Sequence, residues 1–163
     1  MAKLNRSALI HFINSTPSAT SPSWFKIGKD VEDMSVQLNA QMETRRNILD
    51  ETSVLHNGYE PSFSVDTYYA DPTDDIYDFI EGIALGRLKG DACKTQVLEV
   101  IVEDTAATSH EAYREDVMIE VTSYGGSQTG VAIPYTVHFD GNRTAGTVAI
   151  ASGTGVPTFT PTT

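Results

Sequence analysis

Cysteine is almost missing from this sequence: Cys93 is the single one among 163 residues. That excludes an intramolecular disulfide framework and fits synthesis in a reducing compartment. The four histidines, His11, His56, His110 and His138, are scattered without metal-ligand spacing. With one thiol to join them, nothing supports a structural zinc site. Basic residues are scarce too, 11 against 22 acidic ones, for a formal charge of -11. A surface so negative argues against a subunit that grips phosphate backbones, since grip needs Lys and Arg to displace counterions. Solubility is the simplest use of that charge. Long apolar runs are also lacking. Ala8-Leu9-Ile10 is interrupted at His11 and resumes only for Phe12-Ile13, far short of the ~20 residues that span a bilayer. Lys3 and Arg6 precede this stretch, but it is too short for the core of a signal peptide. The Asn-x-Ser/Thr triplets at Asn5, Asn14 and Asn142 therefore carry no glycosylation meaning.

Catalytic constellations are missing as well. Ser127, in Gly125-Gly126-Ser127-Gln128-Thr129-Gly130, is not bracketed as a nucleophile elbow requires. Ile27-Gly28-Lys29-Asp30 lacks the upstream glycine and the hydroxyl residue of a phosphate-binding loop. Asp71, Thr73, Asp75 and Asp78 imitate a calcium loop, but Ile76 stands where glycine is demanded and no glutamate closes it. Cys93 has no base partner, and Glu115-Asp116 reads as a solvated strand edge. The expectation is a non-enzymatic protein without cofactor or metal.

What the chain does contain is glycine, serine, threonine and proline in a pattern of short alternating segments, which favours strands joined by turns. Its length predicts one domain able to bury a core. Residues 1–23 read as an N-terminal arm, 24–151 as the folded domain and 152–163 as a flexible tail. Trp24–Ile27 is a first short strand. Met34, Val36 and Leu38 alternate with polar residues, and so do Phe63, Val65, Thr67 and Tyr69 in a segment that begins at Tyr59. Between them, residues 40–58 lack either period and end at Asn57-Gly58, a turn signal. A helix is predicted over about 72–86, with Asp71 as N-cap, Pro72 in its first turn, and Ile76, Phe79, Ile80 and Ile83 as the packed face. The rest reads as β: Val97–Val102 covered on both sides, then Val117–Val121, Ile133–Phe139, a hairpin turn at Asp140-Gly141 and a returning strand Thr147–Ile150. The fold class is mainly β, an antiparallel sandwich or barrel with one packed α-helix.

Several stretches in order resemble the major tail tube proteins of long-tailed, siphovirus-like bacteriophages. A Ser/Thr/Pro-rich arm leads to Trp24-Phe25-Lys26-Ile27-Gly28-Lys29-Asp30-Val31. Asn47-Ile48-Leu49-Asp50-Glu51 and Gly58-Tyr59-Glu60-Pro61-Ser62-Phe63-Ser64-Val65 follow. Asp71-Pro72 then opens the helix with Tyr77-Asp78-Phe79-Ile80, and a paired-glycine loop precedes a closing Gly146-Thr147-Val148 strand. The resemblance implies a structural virion protein, made in the host cytoplasm, that forms stacked rings of about six subunits. These rings build the conduit for DNA ejection, with tape-measure, tail-tip and tail-terminator proteins as further partners and no membrane partner. It implies that residues 40–58, with Arg45, Arg46, Asp50 and Glu51, reach an adjacent ring. Joined to the alternation, it makes Ser35, Gln37, Ser64, Asp66 and Glu120 the candidates to face the lumen, where DNA slides past without specific binding. Two other readings share parts of this pattern: the tube protein of a contractile injection system or tailocin, and a monomeric immunoglobulin-like or carbohydrate-binding adhesion domain with Trp24, Tyr68 and Tyr69 as its platform.

Overall fold

The computed structural model describes residues 2–163; Met1, the first residue of the expected arm, lies outside them. The chain is mainly β with one α-helix among the described residues, the fold class expected. Its strands are β1 Leu9–Asn14, β2 Trp24–Ile27, β3 Ala40–Arg46, β4 Thr52–Tyr59, β5 Ser62–Val65, β6 Lys94–Ile101, β7 His110–Val121, β8 Gly125–Ser127, β9 Gly130–Ala132, β10 Tyr135–Ile150 and β11 Pro157–Pro161; the helix is α1 Tyr77–Gly86. One curled antiparallel sheet runs β2-β1-β6-β7-β10-β11. The long β10 pairs with β7 along its length, while its other edge is divided: Tyr135–His138 pairs with β5 and Gly146–Ile150 with β11.

Successive residues of a strand face opposite sides, and here both sides bury apolar groups. Ile13, Val97, Val117 and Val137 face the larger core, which α1 and β5 cover with Ile76, Ile80, Ile83, Phe63 and Val65. The neighbours Phe12 and Leu98, with Val100, Ala112 and Val148, face a second cluster on the opposite side. The sheet supplies the cover for that cluster by curling: Trp24 on one edge strand and Phe159 on the other both pack against it. Such two-sided burial is why Val97–Ile101 of β6 reads as an apolar run broken only at Glu99.

Several expectations need correction. Residues 1–23 are not an arm, because β1 is an interior strand between β2 and β6 and Phe12 and Ile13 belong to the two cores. The end of the chain is not a free tail, because β11 is paired to β10. Met34, Val36 and Leu38 do not form a strand; the segment meets the sheet through one bridge, Gln37 to Ser62, and Leu38 is exposed. Alternation also stops early after β5, for Tyr68 is buried and Tyr69 exposed. Residues 40–58 are the β3–β4 hairpin, and Asn57-Gly58 lies inside β4.

Asp140-Gly141 is no hairpin turn. It lies within β10, where six residues from Phe139 to Thr144 oppose four on β7 from Val117 to Arg114. Positive φ at Gly141 (96°) and Asn142 (57°) absorbs the extra length as a bulge. The helix starts later than expected, at Tyr77. The Asp71 carboxylate accepts the Thr73 amide at 3.0 Å and the Thr73 hydroxyl at 2.6 Å. Those bonds, with Lys29 beside it, hold its pKa down to about 2. Asp71 thus caps a turn before the helix. The far end is closed by Arg87 in the left-handed region (φ 50°), its N–H donating to the Ile83 carbonyl. Ile76, Ile80 and Ile83 are buried and Phe79 is half-buried.

Candidate assembly surfaces

The residues expected to face a lumen are brought together only in part. Ser64 on β5 stands opposite Thr136 on β10, and Thr136 stands opposite Glu120 on β7, so one row of polar side chains, exposed at Ser64 and Glu120 and half-buried at Thr136, crosses three strands. The Ser64 and Thr136 hydroxyls are 3.0 Å apart, and His138 Nε2 lies 2.7 Å from Glu120 Oε2. Gln37 joins the margin of this face through its backbone pairing with Ser62. Ser35 is exposed but lies off the sheet. Asp66 lies past the end of β5 in a cleft with Asp30, Glu32 and Asp33, away from the row. The row alternates with the buried Phe63, Val65, Ile119, Tyr135 and Val137, so the larger core fixes which way it points.

On the opposite face, sequence reasoning missed an ionic cluster. Arg143 Nη1 donates to Glu99 at 2.7 Å and to Glu115 at 3.0 Å, and its guanidinium lies 4.4 Å from the Tyr113 ring. His11, buried in β1, sits 3.3 Å from the other oxygen of Glu99. Among the described residues its Nδ1 has no hydrogen-bond partner, and its ring packs against Phe63. Burial pushes the Glu99 carboxyl up, but hydrogen bonds from His11 and Arg143 outweigh it and leave the pKa lowered. Glu115 is therefore not a solvated edge residue, as expected, but the buried partner of Arg143. Alternation holds a signal of this: Glu115 shares the parity of Val117 and Ile119.

The third feature is the β3–β4 hairpin. Among the described residues its strands pair only with each other, and all their residues are exposed except the half-buried Glu43 and Gly58. The charges expected to reach another ring are paired inside it: Arg45 with Glu43 at 2.8 Å and Arg46 with Asp50 at 3.3 Å. The tip is held by its own hydrogen bonds. Asn47 Oδ1 accepts the amides of Leu49 and Glu51, and Asn47 Nδ2 donates to the Glu51 carboxylate at 2.8 Å. Asp50 takes a positive φ of 63° to close the turn. This scaffold holds two apolar side chains in solvent, Ile48 at 100% exposure and Leu49 at 72%. A lone two-stranded hairpin is marginally stable in water, and this one carries its two apolar tip residues outward.

No family model matches the sequence, and no curated protein does. Among solved structures, the chain is similar to the hybrid solid-state NMR and cryo-EM structure of the SPP1 tail tube. The TM-score is 0.55 at 16% sequence identity, over 88% of this chain and 78% of that one. At that identity the likeness is one of fold.

Proposed function

We propose that this chain is the subunit of a phage tail tube, a non-enzymatic virion protein that assembles into stacked rings and lines the conduit for DNA ejection. The observation that carries the reading is the β3–β4 hairpin, an element with no core of its own and two apolar residues at its tip. The fold likeness to the SPP1 tail tube supports it. In this reading, rings of about six subunits close side by side and stack head to tail, a heterologous contact that propagates as a filament. The hairpin reaches the next ring. The polar row of Ser64, Thr136 and Glu120, with Gln37 at its margin, faces the lumen, where acidic and hydroxyl groups keep a phosphate backbone hydrated and mobile. Tape-measure, tail-tip and terminator proteins set the length and ends of the tube.

Negative-stain electron microscopy of concentrated protein, with size-exclusion of the same sample, tests this. The expected result is hollow tubes or rings with a stain-filled centre, alone or once tail-tip proteins are added. Protein that stays monomeric with the tail-tip proteins present overturns the reading.

A further inference from the structure

A cleft of about 580 Å³ opens between the turn before β1, the end of β2 and the segment leading to Met34. Leu9, Ile27, Val31 and Met34 give it an apolar floor. Arg6, Lys26 and Lys29 stand at its rim with a single acid, Glu32. Three of the chain's 11 basic residues thus gather at one opening in a protein of charge -11. Lys29 is engaged with Asp71, but among the described residues neither Arg6 nor Lys26 has an ion-pair partner. The cleft is preformed: the Arg6 guanidinium donates to the carbonyls of Leu9 at 2.7 Å and Met34 at 3.0 Å, tying its two walls together.

We propose that this cleft receives the β3–β4 tip of a second copy, with Ile48 and Leu49 on the apolar floor and Asp50 and Glu51 toward the basic rim. The proposal rests on the tube reading above and names the surface that the hairpin meets. The complementarity is twofold: two exposed aliphatic side chains against an apolar floor, and the acids Asp50, beside Arg46, and Glu51, held by Asn47, against Arg6 and Lys26, which among the described residues have no ion-pair partner. Both partners are ordered beforehand, the tip by Asn47 and the cleft by Arg6, so little freedom is lost on docking. Tip and cleft are different surfaces of one chain, so the contact is heterologous and repeats from copy to copy. Opposite charge at the rim speeds the encounter and rejects misaligned docking.

The test mixes two single-cysteine additions, Leu49→Cys in one preparation and Glu32→Cys in the other, both at exposed positions, with the buried Cys93 left in place. After assembly and mild oxidation, the pair is expected to give about ten-fold more disulfide-linked dimer than a control of Leu49→Cys with Tyr124→Cys. In parallel, Lys26→Glu and Glu51→Lys are each expected to raise the concentration needed for assembly about ten-fold, and the double variant to return within about two-fold of wild type. Tubes that form without cross-linking above control overturn the cleft assignment and leave the tube reading standing. Cross-linking without tubes supports the contact and removes the tube. Absence of both overturns both.

Discussion

The curled sheet and the β3–β4 hairpin are both antiparallel β-structure in one chain, held by different means. In the sheet, every interior strand has two paired neighbours and both faces bury apolar side chains. In the hairpin, each strand has one neighbour and neither face is covered. Hydrogen bonds and local ion pairs set the hairpin's shape, but they contribute little net stability in water. The contrast teaches that one part of the molecule completes its own burial while the other does not. Changes in the first part should act on folding, and changes in the second on association.

The comparison is sharpened most by Ile80→Ala, which removes a fully buried side chain where α1 meets the sheet. Chemical denaturation of the monomer is expected to show a loss of about 2–5 kcal/mol. Gly146→Ala comes next. A Cβ there would stand 2.3 Å from the Thr160 carbonyl and 2.7 Å from the Phe159 ring, so β11 must shift, at a cost of about 1–3 kcal/mol. Amide exchange should show lost protection in Thr158–Thr160 while α1 is unaffected.

Arg143→Met leaves two largely buried carboxylates without their cation, an effect of about 1–2 kcal/mol at neutral pH. Its pH dependence follows from Glu99, whose folded pKa lies below the ordinary value of 4.5. That contribution is present above 4.5 and lost as pH falls through the lower folded value, so the gap between wild type and variant should close in acid. The smallest effect on the monomer is expected from Ile48→Ser at the tip, within about 0.5 kcal/mol in thermal melts, although the same change should abolish tubes. A monomer destabilised by Ile48→Ser as much as by Ile80→Ala would break the contrast.

This difference between regions also explains what the sequence could reveal. Alternation reports burial on one face only. It was legible in Val117–Val121 and in Ile133–Phe139, whose other sides carry Glu120, Thr136 and His138, and helical spacing marked α1. It was silent for β3 and β4, buried on neither face, and for β1, a short apolar run covered on both. The bulge in β10 was misread because Gly141 and Asn142 supply the same positive φ that a tight turn needs, and only pairing with β7 separates the two uses. Of the candidate site, the Ser64 and Glu120 row followed from parity. The Arg143 cluster joins residues distant in sequence, of which parity marked only Glu115; the hairpin tip is held by short-range contacts within Asn47–Glu51, but alternation did not show that its flanks pair.

The bulge in β10 has one more implication. A single extra residue would turn every side chain beyond it to the wrong face, sending Val148 out of its cluster. Two extra residues restore the original parity. The strand therefore bends without exchanging inside for outside, and related chains should vary in length at this point only by even steps.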